Sequence, residues 1–156
     1  DVLGSRGLGD VYKRQLWGNP QGEEGLTATH QKSIYDPCPP GYRIPGKDAF
    51  SIFTKTGENT TDPAQHNVVN TSPTKRGWYL YYAATGSGEQ AWFPYNGCRY
   101  YSSGALNRGS FYYYWTSAPS AGTKSCCLAF KNDWKEVDPL YTFQRGNAQT
   151  IRCVKE

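Results

Sequence analysis

The chain has 156 residues, of which 37% are hydrophobic and 15% aromatic, with a formal net charge of +4, the size of one domain with one core. Its 17 Lys and Arg are scattered without a basic run, and no nucleic-acid-binding motif accompanies them, so nucleic acid is set aside as a partner. No uninterrupted apolar stretch approaches the roughly 18 residues of a transmembrane helix, which argues against direct membrane insertion.

Residues 1–15, DVLGSRGLGDVYKRQ, resemble translated sequencing-adapter read-through at the ends of metagenomic gene predictions and are expected to be a non-native tail. The domain is then 16–156. The chain holds no methionine, so this domain is expected to be the C-terminal fragment of a longer protein whose signal or lipid anchor lies upstream.

Tyr35-Asp36-Pro37-Cys38-Pro39-Pro40-Gly41-Tyr42-Arg43-Ile44-Pro45 reads as a rigid, proline-fixed turn around one cysteine. After it, Asp48 caps a predicted helix in which Ala49, Phe50, Ile52 and Phe53 recur at three- and four-residue spacing, with Gly57 as a left-handed stop. Residues 58–75 show no apolar period and are expected to form a long surface loop. Asn59-Thr60-Thr61 and Asn70-Thr71-Ser72 match the N-glycosylation pattern, a short match that is expected to be incidental.

From Trp78 onward the composition favours strands. They are expected at Trp78–Ala83, Ala91–Phe93, Tyr112–Thr116, Cys126–Phe130, Lys135–Val137 and Gln149–Val154, with a hairpin turn at Lys131-Asn132-Asp133-Trp134. One helix followed by strands predicts an α+β class in which the first and last segments pair.

Little catalytic chemistry is visible. His30 and His66 both stand in polar loop context, and there is no Gly-x-Ser-x-Gly elbow, phosphate-cradling glycine loop or His-Glu-x-x-His. No cofactor is expected. The five cysteines lack Cys-x-x-Cys spacing, which favours an oxidising, extracytoplasmic setting over a zinc site. Cys98 with Cys126 or Cys127 would make one pair, and three free thiols are the alternative.

A recognition surface is the stronger expectation. Tyr95, Asn96, Arg99, Tyr100, Tyr101, Asn107 and Arg108 sit among small polar residues and combine amphipathic rings with hydrogen-bonding groups, the mixture that binding loops favour. Tyr112, Tyr113, Tyr114 and Trp115 alternate faces of a strand, so some of them must be core.

Three motifs carry a family resemblance: Cys-Pro-Pro-Gly-Tyr-Arg-Ile-Pro at 38–45, Tyr-Tyr-Trp-Thr-Ser at 113–117 and Ile-Arg-Cys-Val-Lys at 151–155. In this order they resemble the Fibrobacter succinogenes major paralogous domain and the C-terminal domain of fimbrillin-family surface proteins, over residues 16–156. The resemblance implies a C-type-lectin-like fold, with one main helix packed on short, mostly antiparallel strands with long loops. It brings the proline turn and the terminal strand together, so that Cys38 and Cys153 are expected to form a disulfide. It also implies a non-enzymatic module on the bacterial cell surface, an adhesin or fimbrillin-type domain that binds glycan or a host or bacterial surface protein.

Two other readings follow from the implied fold. One is the variable recognition protein of a diversity-generating retroelement. The more distant one is an enzyme of formylglycine-generating type, which Cys126-Cys127 suits poorly because adjacent strand residues face opposite ways. No metal is expected: Asn132-Asp133-Trp134 holds the lectin calcium letters in the wrong order, and Asp133, Glu136 and Asp138 read as a charged hairpin rather than a site of six to eight oxygens.

Overall fold

The computed structural model describes residues 32, 35–60, 62–72, 77–83, 85–107, 111–131 and 136–156. The predicted 1–15 tail, His30, Arg108 and the 132–134 turn lie outside them. Among the described residues the chain forms ten strands: β1 (Tyr42–Arg43), β2 (Val68–Ser72), β3 (Gly77–Tyr81), β4 (Gln90–Pro94), β5 (Cys98–Arg99), β6 (Leu106–Asn107), β7 (Phe111–Pro119), β8 (Lys124–Lys131), β9 (Glu136–Gln144) and β10 (Val154–Lys155). They pair antiparallel as β1-β10, β2-β3-β4, β5-β6 and β7-β8-β9.

The expected α+β, C-type-lectin-like class with a main helix is therefore corrected: small antiparallel sheets dominate the described chain. In place of the helix stands a 3-10 helix, Lys47–Phe53, with a second 3-10 turn at Pro63–Gln65. The reason is local. Only seven residues separate Gly46 from Thr54, too few to offset the cost of nucleating an α-helix, and a spacing of three serves a 3-10 helix equally well. Phe50 and Phe53 are buried by it, while Ile52, counted in the sequence period, is 50% exposed.

The expected loop 58–75 is also corrected. Its backbone is stitched to the 3-10 helix, with Lys55 N donating to Gln65 O (2.8 Å) and Asn67 N to Phe53 O (2.8 Å), and it then runs into β2. Near the C-terminus the expected strand Gln149–Val154 is replaced by isolated bridges, Arg99 with Ala148 and Tyr114 with Thr150, before β10 begins at Val154.

The sheet β7-β8-β9 is the centre of the molecule, because β7 and β8 are buried on both faces. Tyr112, Tyr114, Leu128 and Phe130 point to one side, and Tyr113, Trp115, Cys127 and Ala129 to the other. The first face is covered by Trp78, Leu80, Ala91 and Phe93 of β3 and β4 and by Phe50 and Phe53 of the 3-10 helix. The second is covered by Cys98 and the half-buried Tyr100 and Ile151. Two buried faces explain the near-continuous apolar runs of these strands, where a half-exposed strand would alternate.

The ends of the domain are joined as the sequence suggests. Tyr42 pairs with Lys155 and Arg43 with Val154, and Cys38 and Cys153 form a disulfide with Cα atoms 5.8 Å apart. The proline turn is held from within: the Asp36 carboxylate accepts from Cys38 N (2.8 Å) and Ile44 N (3.0 Å), and the Lys32 ammonium donates to the carbonyls of Pro39 (2.7 Å) and Tyr42 (2.6 Å).

His66 supplies a pH test of this packing. It is buried, bridges Thr54 across the backbone, and donates through Nε2 to Thr60 O at 3.0 Å. In the neutral ring that bond puts the proton on Nε2 and leaves Nδ1 bare, and Nδ1 is buried without a hydrogen-bond partner among the described residues. Burial lowers the His66 pKa from its ordinary 6.5, against smaller opposing contributions from the Thr60 carbonyl, Asp138 and Asp62. The folded state thus binds fewer protons than the unfolded state, so the contribution of neutral His66 is complete above about 6.5 and lost as pH falls toward the folded pKa. Melting temperature should fall between pH 7.5 and 5.5, and His66→Gln should flatten that part of the profile; an unchanged slope in the variant would show that other groups set it.

Candidate functional site

The segment from Tyr95 to Asn107 carries six of the seven residues picked out from sequence, and the structure divides them by role. Tyr95 is half-buried and lies flat against Tyr112, with ring centroids 3.9 Å apart and planes 3° from parallel. Burial raises its phenol pKa. Asn96, also half-buried, turns its amide inward, where neither polar atom has a hydrogen-bond partner among the described residues. These two residues belong to the packing of the β4 end.

The other four gather on the β5-β6 hairpin. Arg99 is exposed and pairs in register with the exposed Leu106. Its guanidinium donates from Nη1 to Gly104 O at 2.6 Å. Tyr100 leans inward against the β7-β8-β9 sheet, 6.2 Å from the Phe143 ring, and its hydroxyl accepts from Asn107 Nδ2 at 2.7 Å. Asn107 therefore fixes the half-buried tyrosine. Tyr101 alone among the candidate tyrosines projects outward, at 62% exposure.

The backbone beneath Tyr101 is fixed. Tyr100 N donates to Ala105 O (3.0 Å), Gly104 N to Tyr100 O (2.9 Å), and Gly104 takes the positive φ of 64° that closes the turn. From the far end of the chain, the buried Asn147 accepts Tyr101 N on Oδ1 at 2.9 Å. Gly146 lets that segment approach, since a Cβ there would stand 2.8 Å from Tyr101 Cβ. The reciprocal bonds between Arg99 and Ala148, 2.9 and 3.0 Å, complete the attachment.

Gly146, Asn147 and Ala148 were not picked out from sequence. Their only signal is the turn composition Arg145-Gly146-Asn147 following a strand, which says nothing about a partner more than 40 residues away. A second aromatic surface was also missed. Tyr79 and Trp92, paired in register on β3 and β4, are half-buried with rings 4.5 Å apart on the face opposite Trp78 and Phe93. The alternation Trp78-Tyr79-Leu80-Tyr81 carries that signal. Gly77 belongs to the same face, because a Cβ on it would lie 2.2 Å from the Trp92 ring.

Among the described residues no three His, Cys, Asp or Glu side chains converge as metal ligands, and no helix is long and apolar enough to cross a membrane. Asp138 spends one carboxylate oxygen on Leu140 N at 2.9 Å, and Asp133 lies outside the described residues. Chemically, the hairpin offers an exposed phenol ring, the exposed Arg99 and the short side chains of Ser102 and Ser103. Comparison with family models, with curated proteins and with solved structures finds no match to this chain.

Proposed function

We propose that this chain is a non-enzymatic module of a bacterial cell surface, of adhesin or fimbrillin type and related to the Fibrobacter succinogenes major paralogous domain, that binds a glycan or a surface protein. The observation that carries this reading is Tyr101, a largely exposed ring on a turn whose backbone is fixed by Asn147 and by its own hydrogen bonds. A ring presented in this way meets a ligand without ordering a loop first, which removes part of the entropic cost of binding. Its face suits the apolar side of a sugar or a protein pocket, and Arg99, Ser102 and Ser103 of the same hairpin carry exposed hydrogen-bonding groups. The Cys38–Cys153 disulfide supports an oxidising location outside the cytoplasm.

The test is an array of glycans and of host and bacterial surface proteins probed with the full chain, followed by Tyr101→Ala on the hits. The substitution should weaken binding by about 1–2 kcal/mol, roughly 5- to 30-fold, because a central aromatic anchor is removed. Stability should hardly move, since the ring is outside the core. An array with no hit above background, or a Tyr101→Ala chain that binds as tightly as the parent, overturns the reading.

A further inference from the structure

Cys98, Cys126 and Cys127 are free and buried. The last two are neighbours on β8, so their side chains leave opposite faces of the sheet. Cys127, paired in register with Trp115 on β7 and Tyr141 on β9, belongs to the cluster of Tyr113, Trp115 and Ala129. Cys98 belongs to that same cluster, brought there because β5 lies over this face with Tyr100 beside it. Cys126 falls on the side of Leu128 and Phe130, where the charge of Lys47 on the 3-10 helix reaches it. Of the two pairings open to Cys98, only one lies on a shared face.

We propose that Cys98 and Cys127 are a second cystine pair of this chain, formed on oxidation by a low-molecular-weight disulfide, and that Cys126 remains a thiol. One cysteine loses its proton and attacks a sulfur of the reagent, expelling one small thiol and leaving a mixed disulfide. The second cysteine, deprotonated in turn, attacks the protein sulfur of that mixed disulfide and expels the other small thiol. Two S–H bonds become one S–S bond, and the two electrons reduce the reagent to two thiols. Burial raises the pKa of both thiols, so the folded protein holds few thiolates and the bond forms chiefly while the sheet closes. The consequence is local: the hairpin that presents Tyr101 becomes tied covalently to the middle strand of the central sheet.

The experiment folds the reduced, denatured full chain in glutathione buffers of graded oxidised-to-reduced ratio, blocks free thiols with iodoacetamide, and maps the cystines by proteolysis and tandem mass spectrometry. Expected is a linked pair joining Cys98 to Cys127 beside Cys38–Cys153, with alkylation confined to Cys126. Because Cys126 and Cys127 share one proteolytic peptide, the variants Cys126→Ser and Cys127→Ser decide between them. The first should keep Cys98 protected, and the second should leave Cys98 and Cys126 fully alkylated. Fragment ions of the parent chain give the same assignment if a variant fails to fold. A Cys98–Cys126 linkage, or three alkylated thiols at every ratio, overturns the proposal.

Discussion

Replacing both Cys38 and Cys153 by serine should lower the melting temperature by roughly 8–20 °C. The bridge spans a sequence separation of 115 residues. For a loop of that size the chain-entropy model gives about 4–5 kcal/mol, and a domain of this length shifts by about 2–4 °C per kcal/mol. The native contacts nearby are too few to substitute. Strands β1 and β10 are two residues each, and so short a ladder does not hold itself together in water. When the tie is cut, the segment carrying Ile151 and Arg152 is freed with it, and these cover the second core face and the Phe93 ring respectively. The double variant is preferred to a single one because it leaves no orphan thiol. Thermal unfolding of the parent, with the Cys38–Cys153 disulfide formed, and of the double variant measures the difference, and a shift below about 2 °C would mean that the Asp36 and Lys32 contacts hold the turn alone.

The sequence made the closure of the domain legible but not its interior, and the physical reasons differ by segment. Prolines and a cysteine around Pro39 constrain the backbone by covalent geometry, which acts locally, so the turn could be read directly. Tyr112-Tyr113-Tyr114-Trp115 could not be sorted into core and surface, because alternation distinguishes faces only when one of them meets water. Here all four are buried. Phe50 and Phe53 satisfy the period of an α-helix and of a 3-10 helix alike, so the spacing does not separate the two.

At the candidate site, composition located the hairpin while tertiary contact assigned the roles. Tyr95, Tyr100 and Tyr101 look alike in sequence, each beside turn residues. Tyr95 meets Tyr112, Tyr100 meets Phe143 and Asn107, and Tyr101 is held at its backbone N–H by Asn147 and lies with its Cβ close over Gly146. Those partners lie up to 46 residues away in the chain. No local rule reaches that far, which is why Asn147, whose carboxamide sets the direction of Tyr101, went unnoticed among ordinary turn residues.

Phe93→Ala should cost about 3–5 kcal/mol, close to the whole margin of a weakly stable domain. Phe93 is 1% exposed and sits where the layers meet. Its ring lies 5.4 Å from Phe53 of the 3-10 helix, 5.2 Å from Tyr114 of β7 and 5.3 Å from Phe130 of β8. The Arg152 guanidinium stands 4.3 Å over the same ring while donating from Nη1 to Trp92 O at 2.6 Å. Truncation therefore removes contacts to the β7-β8-β9 sheet and the 3-10 helix, and it strips a partly buried cation of its aromatic partner. Phe93→Leu separates these contributions, because leucine restores most of the volume but neither the edge-to-face geometry nor the ring under Arg152. If volume dominates, the leucine chain should recover more than half of the loss in urea unfolding. Recovery of less than a quarter would place the energy in the ring itself, and then Arg152→Ala should cost little once Phe93 is gone, since the two residues would be contributing one shared interaction.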